Sequence, residues 1–97
     1  MARNSIERDS RVVRSREILE SAVDGEVIAL DIAQGECYGF NPVASSIWHL
    51  LERETSVTEI CDSLCSEFEV ERDVCEADVT RLLVELQSAG LVDVSAR

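Results

Sequence analysis

The chain reads as a small α+β domain, winged-helix-like, with a three-stranded antiparallel sheet followed by three helices. Three observations predict this. Residues 17–40 alternate apolar and polar side chains between two glycine turns, Asp24-Gly25 and Gln34-Gly35. At Asn41-Pro42 the pattern switches from a period of two to a helical period. From there to Gly90, three apolar stripes recur at helical spacing.

The elements follow in order. Ile18 to Val23 is the first strand, and Asp24-Gly25 tolerates the positive φ of a tight turn. Glu26 to Ile32 is the second strand. Its Ile28, Leu30 and Ile32 share one face, and Val27, Ala29 and Asp31 share the other. Glu36 to Phe40 is the third strand, and sequential pairing leaves the first and third at the sheet edges. Asn41 is a good N-cap, because its side-chain oxygen accepts an orphan helix N–H, and Pro42 loses nothing at the first helical position. The first helix covers residues 42–52, with Ala44, Ile47 and Leu51 on one face and Trp48 on its shoulder. Ser56-Val57-Thr58-Glu59 matches a capping box and opens the second helix, which runs to about Phe68. The third and longest helix ends near Ala89, with Val79, Leu82, Leu83 and Leu86 as its seam. Gly90 stops it, Leu91 folds back, and Val92 to Val94 form a short extended tail.

Composition narrows the function. Ninety-seven residues allow one modest core. No apolar run is long enough to cross a bilayer, and the first residues lack the apolar centre of a signal peptide, so the cytoplasm is the expected location, with no membrane partner. The net charge is −11, and every basic residue is an arginine. Residues 1–16 hold Arg3, Arg8, Arg11, Arg14 and Arg16 against Glu7 and Asp9. They read as a flexible, Arg-rich N-terminal arm contributing at most a strand start near Val12, with the folded domain spanning 17–97. The body is strongly acidic, which repels phosphate backbones and favours neutral or basic partners.

No catalytic constellation is visible. His49 stands alone on the first helix, and there is no Gly-rich phosphate loop. Cys61 and Cys65 fall on the apolar stripe of the second helix and read as small buried hydrophobes. With no Cys-x-x-Cys pair, neither metal nor cofactor is expected. The helix–turn–helix pattern raises a winged-helix DNA-binding regulator as an alternative. The third helix, however, opens with Glu71, Asp73, Glu76 and Asp78 against Arg72 alone, the wrong sign for phosphates, so nucleic acid is not the expected ligand.

What remains is peptide binding. A free edge of the third strand can take main-chain hydrogen bonds from an added strand, whose side chains drop into a cleft beside the third helix. The candidate walls are Glu36, Cys37, Tyr38, Gly39 and Phe40 on the strand. On the helix they are Val74, Cys75, Asp78, Arg81, Leu82 and Glu85. Rim acids favour a peptide with Lys or Arg flanking apolar anchors. An exposed edge also invites self-pairing, so a monomer or weak dimer is expected.

Three motifs in order, Gly35-x-x-Tyr38-x-x-Asn41-x-x-Ala44-x-x-Ile47-Trp48-x-x-Leu51, then Thr55-x-x-x-Glu59-Ile60, then Asp78-Val79-x-x-Leu82-Leu83-x-x-Leu86-x-x-x-Gly90-Leu91, resemble the PqqD-like family, also called the RiPP recognition element. The resemblance covers roughly residues 17–94. It implies a non-catalytic adaptor on which the leader segment of a ribosomally made precursor peptide docks antiparallel to the third strand, beside the third helix, for presentation to modifying enzymes. Members of the pyrroloquinoline quinone pathway act as peptide chaperones of this kind, but tend to carry Asp-Gly after the first helix, where this chain has Glu52-Arg53-Glu54. The free-standing chain with Gly-x-x-Tyr-x-x-Asn looks more like the discrete leader-binding proteins of lasso-peptide pathways. There the partners are a leader peptidase and a cyclase, and the Arg-rich arm suits contact with an acidic partner enzyme.

Overall fold

A computed structural model describes residues 6–7, 9–15, 18–24 and 26–95. The elements are β1 (Arg11–Arg14), β2 (Ile18–Val23), β3 (Glu26–Asp31), β4 (Glu36–Gly39), α1 (Pro42–Leu50), α2 (Val57–Glu67), α3 (Arg72–Ser88) and β5 (Val92–Ser95). The three strands read from the sequence are β2, β3 and β4. They form an antiparallel sheet with β3 in the centre, and Ile18 opposite Asp31 and Ile28 opposite Gly39 fix the register. Positive φ at Asp24 (53°) and Gly35 (69°) closes the two hairpins. Val27, Ala29 and Asp31 face the helices and are buried, while Ile28 and Leu30 turn outward.

One hydroxyl joins the sheet to the first helix. Ser45 Oγ accepts from Val27 N–H at 3.0 Å and donates to the Phe40 carbonyl at 3.2 Å, so it bridges the two strands where their ladder ends. The Asn41 side chain accepts from Ala44 N–H, as a cap should. Trp48, on the shoulder of α1's apolar face, is a core residue, at 1% exposure, with the Phe40 ring 5.3 Å away. Its indole N–H donates to Glu20, and the Arg14 guanidinium lies 4.6 Å above its ring while also donating to the Trp48 carbonyl and pairing with Glu20. A surface carboxylate on β2 is thereby tied back into the fold.

The capping box of α2 is formed in full: Ser56 Oγ accepts from Glu59 N–H, and the Glu59 carboxylate accepts from Ser56 N–H. The α3 C-terminus closes through Gly90 at φ 78°, with Leu91 N–H bonded to the Leu86 carbonyl. Within the expected seam of α3, Val79, Leu83 and Leu86 are buried, whereas Leu82 is only partly covered.

The expected flexible arm over residues 1–16 needs correction at its C-terminal end. Arg11–Arg14 form β1 and pair antiparallel with β5, the segment read as a tail, giving a second sheet of two strands. Val12 has no exposed surface, and its backbone exchanges bonds with Thr55 at 2.7 and 2.9 Å. The Arg11 side chain reaches Glu54 and Glu59. Local pattern reading misses this because the partners lie some eighty residues away in the chain. Residues 1–5, 8 and 16, the rest of the arm's basic content among them, lie outside the described residues. Removing residues 1–16 would therefore take away β1 as well as the arm.

Cys61 and Cys75 are buried in the α2–α3 contact, with Cys65 partly covered beside them. Burial pushes the Cys61 and Cys75 thiols up, and the hydrogen bonds that the Cys75 thiol donates to Cys61 and Cys65 raise Cys75 further. The folded state therefore holds these protons where the unfolded chain releases them. Their contribution is complete below the ordinary thiol pKa of 9.0 and is lost as pH rises above it. Urea midpoints at successive pH values should fall on the alkaline side of this point, and Cys61→Ala/Cys75→Ala should show a flatter profile.

Candidate peptide-binding groove

Among the described residues β4 pairs only with β3, so its other edge is open, and its polarity can be read from one bond. Phe40 N–H donates to the Val27 carbonyl at 2.9 Å, so by alternation Glu36 and Tyr38 also turn their backbone groups to β3. Cys37 and Gly39 then present N–H and C=O to the free edge. Opposite faces receive the side chains: Cys37 is exposed on the outward side, across from Leu30, and Tyr38 packs on the helix side, across from Ala29. The Tyr38 hydroxyl donates to Glu36 at 2.8 Å, and this bond holds its pKa above the ordinary value. Among the described residues, no atom other than those of Gly39 and its chain neighbours lies within 4 Å of the position a Gly39 Cβ would take, so the backbone is open to approach there.

Beside the C-terminal end of β4 lies a cavity of about 460 Å³. One wall is α3, with Asp78, Val79, Arg81, Leu82 and Glu85. The other is α1 with its cap, through Asn41, Val43, Ala44 and Ile47. Leu64 of α2 and its C-cap Phe68, with Val70 and Cys75, complete it. The interior is apolar and the charges sit on the α3 side, where Arg81 donates to Asp78 at 3.0 Å and Glu85 follows one turn later.

Of the candidate residues, Cys75, Asp78, Arg81, Leu82 and Glu85 come together in this groove. Five others do not line it: Glu36, Cys37, Tyr38 and Gly39 form the adjoining edge, and Phe40 is buried against Trp48. Val74, half exposed, points elsewhere. This cavity is thus walled by α1 and α3, and it adjoins β4 because Pro42 starts α1 directly at the strand's end. Sequence reading missed Val43, Ala44 and Ile47 as wall residues; the signal was α1's apolar face itself, with Ala44, Ile47 and Leu51 on it and Val43 beside it. The wall of α3 begins at Cys75 because the helix turns Val74 outward.

His49 sits 3.9 Å from Glu20, within the Arg14–Trp48 cluster. Arg72, the lone cation at the start of α3, is held by Asp62, Glu76 and the Thr58 carbonyl. Among the described residues no group of three or more His, Cys, Asp or Glu is arranged to hold a metal ion, and no helix is long and apolar enough to cross a membrane.

A family model for coenzyme PQQ synthesis protein D (PqqD) matches residues 26–92. Two solved structures share the fold. TbiB1 in complex with the TbiA(beta) leader peptide is 32% identical, with a TM-score of 0.80, over 88% of this chain and 99% of that one. Lasso peptide synthetase B1 complexed with the leader peptide is 29% identical, with a TM-score of 0.72, over 84% and 96%. No curated protein matches the chain. With the family model covering most of its length and the same strand-and-helix order underneath, the chain belongs to the PqqD family.

Proposed function

We propose that this protein is a non-catalytic adaptor that binds the leader segment of a ribosomally made precursor peptide in a lasso-peptide pathway. The leader adds antiparallel to β4, bonding to the outward backbone of Cys37 and Gly39, and places apolar side chains between α1 and α3. The observation that carries the reading is the open β4 edge directly beside an apolar groove of about 460 Å³. The two similar structures, both leader-peptide complexes, support it, and they favour the lasso-peptide setting over the pyrroloquinoline quinone one. Asp78 and Glu85 on the rim suit a leader with a basic residue flanking its apolar anchors.

A presented peptide needs an enzyme to receive it. The outward face of the sheet carries Leu19, Val23, Ile28, Leu30 and Cys37, with Leu19 and Val23 56% and 53% exposed. This apolar face is continuous with the β4 edge and serves as the docking surface for a modifying enzyme such as a leader peptidase. The basic arm offers that enzyme a second contact.

Titration of the purified chain with a fluorescent precursor leader is the direct test, and the absence of saturable binding to the leader encoded beside it would overturn the reading. Strand polarity adds a sharper expectation. Cys37→Pro removes a donor from the free edge and should weaken binding roughly tenfold, with the fold intact. Tyr38→Pro removes a bond to β3 and should instead destabilise the sheet. A destabilised sheet from Cys37→Pro, with wild-type-like stability and weakened binding from Tyr38→Pro, would show that the polarity is reversed.

A further inference from the structure

The opposite edge of the sheet, β2, is six residues long. Among the described residues, its backbone pairs only with β3. Edge strands are normally blunted by lysine, proline, a bulge or an inward charge. This strand, Ile18–Val23, contains neither proline nor lysine. Its single charged residue, Glu20, is on the inner face, but its charge is met by Arg14 at 2.8 Å and by the Trp48 indole at 2.9 Å, so it does not stand as an unpaired inward charge.

The strand is also self-complementary. Since Val27 and Ala29 turn their backbone groups to β4, Ile28 and Leu30 turn theirs to β2, bonding to Ser21 and Leu19. The backbone groups of Ile18, Glu20 and Ala22 therefore face the free edge. Two copies related by a two-fold axis must keep apolar side chains on one face, which restricts the register. With Glu20 on the axis, two carboxylates would stand opposite each other. With Ser21 on the axis, Leu19 of one copy meets Val23 of the other on the outward face, and Glu20 meets Ala22 on the inner face.

We propose that a second copy of this chain docks on the β2 edge in the Ser21-centred register, forming a continuous six-stranded sheet. Four backbone hydrogen bonds, between Glu20 and Ala22 of the two copies, hold it together. Both β4 edges are left at the outer ends, so each copy keeps its own groove. The proposal stands independently of what the groove binds. The contact is small, so the dimer is weak and concentration-dependent. Each copy carries a net charge of −11, so added salt screens the repulsion and strengthens it.

A cross-link reads the register. Residues facing each other across the axis at a non-hydrogen-bonded position lie about 4.5 Å apart between Cα atoms, within disulfide reach. In a Cys37→Ser background, Ser21→Cys should give a disulfide-linked dimer under oxidised glutathione, which takes up the two electrons and is released as two thiols. Ala22→Cys, off the axis and on the other face, should not. Sedimentation equilibrium of the unaltered chain should show dimer increasing with concentration and salt, and Leu19→Lys should raise the dissociation constant about tenfold. A chain that sediments as monomer under all conditions, or equal cross-linking from Ser21→Cys and Ala22→Cys, would overturn the proposal.

Discussion

Trp48→Ala should cost the fold about 3–5 kcal/mol, the largest single-residue loss expected in this chain. The side chain has 1% exposure and packs against Phe40, so truncation leaves a cavity between sheet and helix. The same change removes the ring beneath Arg14 and the indole donor to Glu20, which loosens β1 and β2 together. Small domains are stable by only about 5–15 kcal/mol, so the variant should be partly unfolded near body temperature. Urea denaturation followed by circular dichroism measures this. Trp48→Phe keeps most of the volume but not the N–H, and should fall between the two. A midpoint for Trp48→Ala close to that of the unaltered chain would mean that the ring is not a core support.

Leu82→Glu should lower leader-peptide affinity about 100-fold while leaving stability nearly unchanged. Leu82 is partly covered at the groove wall, so it contributes little to the core. When an apolar anchor seats against it, that surface is desolvated; a carboxylate there loses the apolar contact and its own hydration. Val74→Glu on the same helix is the control, because Val74 is half exposed and outside the groove. Fluorescence titration of both variants decides the matter. If Val74→Glu weakens binding as much as Leu82→Glu does, the peptide runs over the outer face of α3 and not between α1 and α3.

Much of this geometry is legible in the sequence where the determinants are local. The Asn41-Pro42 switch, the capping box at Ser56 and Glu59, and the Gly90 stop each act within a few residues, and each appears in the structure where it is read. Strand order follows from two short hairpins. What stays hidden depends on distant partners. Nothing near Val12 announces that it pairs with Val94 and Thr55. Nothing near Trp48 announces the guanidinium above it. The groove was half legible: the Asp78, Arg81, Leu82 and Glu85 wall follows from helical spacing, but the opposite wall depends on how α1 tilts across the sheet, which periodicity does not encode.

The pairing of β1 with β5 also has a mechanical meaning. Arg11 stands opposite Ser95, so the two outermost described strands enter and leave at the same end of their ladder. A pull on those two ends loads the ladder's hydrogen bonds one at a time, as a zipper opens, and not all together as in shear. Under tension the domain therefore yields first at β1, while the sheet that carries the β4 edge belongs to a separate ladder and is not yet under load.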